Sequence, residues 1–272
     1  MSDDQYHLDS VPPTHSILAE IAELVRFFSR IPLPKLGKWD SLEKLPDFST
    51  STRSIALAGI IISLPSMLVL FILSLGSLPG PVIALLAVAT AAAVQGCLHE
   101  DGMADVVDGF FGGHTAERRL EIMKDSRIGA FGTVALVLSL SLRWLLLSVL
   151  LEVFGGAGAA LGFLAAETTG RLGMVWIWHK IPAAYQGGLS TRFGVPKNIA
   201  VYWATLFALL PLALCLFYLS FGQVVMGVLV GLLLVWVLAR LSRAKIKGIT
   251  GDVLGAAQQI GSIGFLLGAF IL

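Results

Sequence analysis

Three aspartates, Asp101, Asp105 and Asp108, follow one another at i, i+4 and i+7 in the stretch Gly96 to Gly109. On a helix this spacing puts the three carboxylates on one face, where they could hold a divalent cation between them. Carboxylates so close repel one another at neutral pH unless a metal, a proton or a cation intervenes, and the nearest Lys or Arg in the sequence is Arg118. An acidic helix start favoured by the helix dipole is the ordinary alternative. A second set, Glu121 and Asp125, is again spaced i, i+4, with Lys124 and Arg127 beside it. A carboxylate next to an Arg suits a site that holds metal and phosphate together, although surface ion pairs on a helix share the pattern. His99, directly before the aspartates, could orient one of them or contact a phosphate.

Two more candidates lie in the apolar part of the chain. Glu167 and Arg171 stand at i, i+4 where ionisable groups are costly and are either functional or paired with each other. The functional reading aims Arg171 at an anion, and a structural Glu167–Arg171 pair is the alternative. Arg143 has no acidic neighbour at helical spacing and requires a partner on another helix. Asp252, in Thr250-Gly251-Asp252, falls at the start of the last helix, where an N-cap is the plain reading.

The elements that must position these groups are membrane helices. The 272-residue chain is 56% hydrophobic and only 14% charged, with mean hydropathy +0.83, which excludes an ordinary soluble domain. Its two cysteines, Cys97 and Cys215, sit in apolar runs and give no disulfide or zinc pattern. The pattern predicts an all-α polytopic bundle forming one integral membrane domain over 1–272: a loose tail (1–13), an amphipathic interfacial helix and basic connector (14–54), and a transmembrane bundle (55–272). In the interfacial helix, apolar positions from Ile17 to Phe28 alternate with Glu20, Glu23 and Arg26, and Pro32 and Pro34 end it.

Seven apolar runs are long enough to cross about 30 Å of hydrocarbon, at 55–75, 81–98, 131–153, 157–178, 199–221, 223–239 and 253–272. Every one of the 19 Lys and Arg residues except Arg143 and Arg171 falls before the first run or in alternate connections. The positive-inside rule then puts the N-terminus and all four polar segments in the cytoplasm. That convergence brings the carboxylates and cations to one membrane face.

A Mg²⁺-binding carboxylate cluster with Arg and Lys at a membrane face suits transfer of a phosphoryl-linked group, because Mg²⁺ neutralises a pyrophosphate and stabilises its leaving group. No Gly-x-Ser-x-Gly, Walker loop or dinucleotide fingerprint is present, and no basic-aromatic surface suited to nucleic acid. The run His99-Glu100-Asp101-Gly102-Met103-Ala104-Asp105-Val106-Val107-Asp108-Gly109 resembles the signature of the cobalamin synthase (adenosylcobinamide-GDP ribazoletransferase) family. Arg30-Ile31-Pro32-Leu33-Pro34, Leu120 to Gly129 and Thr250 to Ala256 resemble further segments of it, in the family's order and across nearly the whole chain.

The resemblance implies a multi-pass enzyme of the cell (inner) membrane, active at the cytoplasmic face in late vitamin B12 biosynthesis. It joins adenosylcobinamide-GDP to α-ribazole or its 5′-phosphate and releases GMP, with Mg²⁺ required; a homo-oligomer is compatible with it. In that reaction a ribose hydroxyl of α-ribazole attacks the phosphate on the cobinamide arm. The roles assigned are Asp101, Asp105, Asp108 and Asp125 for metal; Arg127 and Arg171 for the pyrophosphate or leaving GMP; Asp108 for the proton; and His99, Lys124, Glu167 and Asp252 for substrate. Two other readings stay open. Asp105-Val106-Val107-Asp108-Gly109 also resembles the opening of the CDP-alcohol phosphotransferase signature, whose following Ala-Arg is missing here. A transporter with Glu167 and Arg171 at midplane would show paired repeats, and none is evident.

Overall fold

The computed structural model describes residues 16–38, 40, 42, 45–185 and 194–272; the tail expected over 1–13 lies outside the described residues. Apart from a 3-10 turn at Ser51–Ser54 and an isolated bridge between Ala183 and Ile249, the regular structure described is α-helical. The helices are α1 (Ile17–Phe28), α2 (Ile55–Leu73), α3 (Gly80–Gln95), α4 (Leu98–Gly112), α5 (Ala116–Ile122), α6 (Ala130–Lys180), α7 (Asn198–Cys215), α8 (Phe221–Ile246) and α9 (Gly251–Gly268).

As one straight helix, the 51 residues of α6 would run about 76 Å, well over twice the hydrocarbon thickness. The chain instead turns back at Gly155, where φ is 67° and ψ −177°, a conformation open to glycine and strained for other residues. Arg143 and Glu167 would lie about 36 Å apart along a continuous helix, yet their side chains bond at 3.1 Å. α6 is therefore a hairpin of two antiparallel arms, each long enough to cross a bilayer.

Four helices qualify as spans by length and apolar composition, namely α2 with its preceding turn, α6, α7 and α8; the count is five if α3 and α4, bent by 88° at their junction, are taken as one. The sequence expectation of seven is thus met by this measure only in part. α3 has 16 residues, short of a full crossing. α9 carries Gln258, Gln259 and Ser262 along a length that is almost wholly buried against α4, α6 and α8, so it is a central strut walled in by protein.

The N-terminal helix also differs from expectation. α1 forms, but Glu20 and Glu23 are buried while Ile17 and Leu18 are exposed, so its acidic residues face protein and not water. The reason is local charge compensation: Arg53 donates to both oxygens of Glu20 at 2.8 Å, and Ser54 adds a third bond at 2.8 Å. A buried carboxylate is tolerated when paired and hydrogen-bonded in this way.

The polar connections meet at one end of the bundle. Lys197 N donates to Ser49 O, Ala184 N to Ile249 O, Lys245 Nζ to Phe110 O and Arg119 to Lys245 O. At the other end the short joints approach one another, with Gly156 against Ser74, Gly158 against Tyr218 and Gly222 against Leu272. The segregation of charge read from the sequence is therefore a segregation in space.

Candidate active site

The carboxylate stretch becomes α4 because the chain is broken just before it. Gly96 (φ 60°) and Cys97 (φ 56°) are successive left-handed residues that end α3 and turn the chain by 88°. Arg30, from the Arg-Ile-Pro-Leu-Pro segment, braces this break: its backbone N–H donates to Val94 O at 2.7 Å, and its side chain lies over Gly96 where a Cβ would stand. Arg26 holds the rest of that segment by donating to Leu33 O, Pro34 O and both oxygens of Asp40. The sequence marked these residues as a helix stop without revealing that they buttress the site.

α4 then packs on the start of α9. A Cβ on Gly102 would come within 2.7 Å of Asp252 O, so only glycine lets the two backbones meet here. The contact carries Asp252 to the first turn of α4, where it shares a cavity lining with Asp101. Capping is done by Thr250, whose Oγ1 accepts from Val253 N and donates to Asp252 Oδ2. Asp252 is thus released from the capping role that its position suggested.

Asp101 and Asp105 line a cavity of about 480 Å³, with Lys124, Asp125 and Ser126 on its other wall. Among the described residues neither aspartate accepts a side-chain hydrogen bond or forms an ion pair. On the opposite side, Asp101 and Asp252 border a smaller cavity of about 150 Å³ together with His99 and Trp178. His99 is 1% exposed and stacks on Phe28; among the described residues it has no partner at either ring nitrogen, and Trp178 Nε1 is equally unpartnered. Buried polar atoms left without partners mark a place where a ligand or water completes the structure.

The donor chemistry fits Mg²⁺, with carboxylate oxygens that no protein cation neutralises. Among the described residues no three His, Cys, Asp or Glu side chains converge into a closed metal cage.

Asp108 points elsewhere. Its Oδ2 accepts from Gly129 N at 2.7 Å and its Oδ1 from Gly132 N at 2.8 Å, at the start of α6, whose own N-cap Gly129 offers no side chain. Asp108 caps α6 from a neighbouring helix, and both its oxygens are occupied. Asp125 is bound on both oxygens by Arg127, which holds its carboxyl near pKa 2. This loop pair borders the 480 Å³ cavity through Asp125 and a second cavity, of about 440 Å³, through both residues.

Glu167 and Arg171 are not brought to these cavities. Both are buried in an ion network that also contains Arg143, the residue for which the sequence demanded a partner. Arg143 donates to Glu100 at 3.2 Å, to Glu167 at 3.1 Å and to Gln259 at 3.1 Å. Glu167 also accepts from Gln258 and Ser262, and Arg171 pairs with Glu167 at 3.2 Å and reaches Gln95. Two carboxylates and two guanidiniums balance within it. Glu100 adjoins Asp101, so the network anchors the end of α4 from which the site begins. The i, i+4 spacing disclosed only its Glu167–Arg171 pair, since the other members come from α3, α4, the first arm of α6 and α9.

No solved structure matches the chain. Over 262 residues it is 38% identical to the adenosylcobinamide-GDP ribazoletransferase of Brucella anthropi, covering 93% of this chain and 97% of that protein. It is 40% identical over 263 residues to the protein of the same name from Brucella ovis, with the same coverage. Residues 20–270 match the family described as cobalamin-5-phosphate synthase, and the chain belongs to that family.

Proposed function

We propose that this chain is an adenosylcobinamide-GDP ribazoletransferase that joins adenosylcobinamide-GDP to α-ribazole, or its 5′-phosphate, and releases GMP in late cobalamin biosynthesis. The observation that carries the reading is the pair of uncompensated carboxylates, Asp101 and Asp105, facing a 480 Å³ cavity whose far wall bears Lys124. Asp101 and Asp105 would hold Mg²⁺, with Asp252 close by and Asp125 across the cavity. When bound, Mg²⁺ neutralises pyrophosphate charge and stabilises the leaving phosphate. Lys124 and Arg127 supply further positive charge to the two phosphates. The ribazole hydroxyl oxygen bonds to the phosphorus on the cobinamide arm, the bond from that phosphorus to the GMP oxygen breaks, and the hydroxyl proton passes to a carboxylate. We assign that proton to Asp252 in place of Asp108, because backbone N–H donors occupy both oxygens of Asp108 while Asp252 keeps an oxygen uncommitted. His99 and Trp178, with their unpartnered nitrogens, hold substrate in the smaller cavity.

The same proposal keeps the sequence-derived topology of seven spans, with α6 crossing twice, α3 crossing together with its bend into α4, and α9 completing the count. It places the polar end and the active site in the cytoplasm and the chain in the inner membrane, with a homo-oligomer compatible. The test is to incubate purified protein with adenosylcobinamide-GDP and α-ribazole and to measure GMP with and without Mg²⁺. Mg²⁺-dependent GMP release that is lost in Asp105→Asn is expected. Absence of GMP would overturn this reading, and release of CMP from a CDP-alcohol substrate in its place would replace it with the phosphotransferase one.

A further inference from the structure

Away from the carboxylates, the second arm of α6 and the last turns of α8 part to leave a cleft of about 340 Å³. The two helices touch above it at Gly173, where an added Cβ would meet Val235 at 2.9 Å. Trp176 and Trp236 flank the opening and are 44% and 55% exposed, so the cleft faces the outer surface of the bundle. At its polar end stand Lys180, Arg240 and Arg243. Among the described residues none of the three pairs with a carboxylate, and the guanidinium of Arg240 rests 5.7 Å from the ring of Trp236. These cations belong to the end of the bundle where the polar loops gather.

Apolar walls open to the surrounding hydrocarbon, tryptophans at the rim and three uncompensated cations at the interface are complementary to one molecule type: a lipid whose chain lies in the groove and whose head is anionic. We propose that this cleft is a binding site for an acidic phospholipid, with an acyl chain between α6 and α8 and the phosphate among Lys180, Arg240 and Arg243. The proposal stands apart from the transferase reading, since none of these residues borders the carboxylate cavities. Charge complementarity decides the occupant. A zwitterionic lipid would fill the groove without neutralising the three cations, and a soluble phosphate would leave the apolar walls and exposed indoles uncovered.

The test uses the full-length protein, delipidated in nonionic detergent, with binding read by native mass spectrometry and thermal shift. Dioleoylphosphatidylglycerol should bind and raise the melting temperature more than dioleoylphosphatidylcholine, and inorganic phosphate should do neither. The double variant Arg240→Gln, Arg243→Gln should weaken phosphatidylglycerol binding about 30-fold, from the roughly fivefold that each interfacial cation contributes near anionic lipid. Leu232→Trp fills the groove with the charges intact and should also displace the lipid; it decides the matter if the double variant does not fold. Equal binding of the two lipids, or phosphatidylglycerol binding unchanged in the variants, overturns the proposal. So does a KM for the nucleotide substrate that is raised in the double variant over the wild type when both are assayed in lipid-free detergent, which would give the cleft to the reaction instead.

Discussion

Replacing Asp108 with Asn separates a structural carboxylate from a catalytic one. In the folded chain its two oxygens accept from Gly129 N at 2.7 Å and Gly132 N at 2.8 Å, and the side chain is nearly enclosed. Asn keeps one acceptor and turns an NH₂ group toward the other N–H. One charge-assisted bond, of about 1.5–3 kcal/mol, is lost and a donor is left unpaired. The negative charge at the start of α6 disappears with it, at a further cost of roughly 0.3–1 kcal/mol. The expected destabilisation is therefore about 2–4 kcal/mol, concentrated where α4 meets the loop bearing Asp125 and Arg127. Thermal unfolding in detergent should show a clearly lowered midpoint, and turnover per folded molecule should fall far less than in Asp105→Asn. Unfolding superposable on the wild type's, with turnover abolished and Mg²⁺ affinity kept, would refute the capping argument and return Asp108 to the role of base.

The remaining expectations follow from the same geometry. Asp105→Asn should abolish GMP release while leaving the melting temperature at or above the wild type's, because one of several mutually repelling carboxylates is removed; activity at limiting Mg²⁺ would overturn it. Arg143→Met should cost about 3–5 kcal/mol, since Glu100 and Glu167 would be left as buried, partly uncompensated charges, and a neutral effect on unfolding would count against the network. Asp40 is held near pKa 2 by Arg26, below the ordinary carboxylate value of 3.8, so its contribution to stability is complete above pH about 4 and lost as pH falls through 2. Accordingly, the stability difference between wild type and Asp40→Asn should shrink between pH 6 and pH 3. For topology, Gly113 and Gly156 are too tightly packed to carry a reporter cysteine. His114→Cys and Phe217→Cys, at exposed positions toward opposite ends of the bundle, should label from the cytoplasmic and outer sides respectively. Labelling of both from one side would overturn the topology.

The sequence disclosed what depends on local pattern. Apolar run length and the alternation of loop cations were enough to foresee helices at the seven segments and the gathering of polar loops at one end. The i, i+4, i+7 spacing put Asp101 and Asp105 on one wall of a cavity. The same spacing did not disclose what Asp108 bonds, because the partners of its oxygens are backbone N–H groups more than twenty residues away, and a backbone donor leaves no trace in residue type. The setting of α1 was hidden for a related reason. Glu20 and Glu23 fall between its apolar positions, and nothing in that spacing shows that Arg53 and Ser54 lie opposite Glu20. Asp252 read as a cap, and Thr250, two residues earlier, does the capping.

Arg171 shows how the intramembrane charges divide the work with the interfacial ones. Its guanidinium bonds Glu167 and reaches Gln95, while a Cβ added to Gly59 on α2 would stand 3.0 Å from its Cδ. An arginine so enclosed cannot follow a phosphate through a reaction without breaking a buried pair, which costs several kcal/mol. Arg127, 87% exposed and among the described residues tied only to Asp125, can exchange that partner for phosphate at little cost. The two arginines therefore predict opposite signatures. Arg127→Ala should raise KM or lower kcat with the melting temperature unchanged, whereas Arg171→Ala should lower the melting temperature and the yield of folded protein first. If Arg171→Ala instead melted like the wild type and lost only turnover, the midbundle network would be part of the chemistry, and the division between anchor and active face drawn from its burial would be wrong.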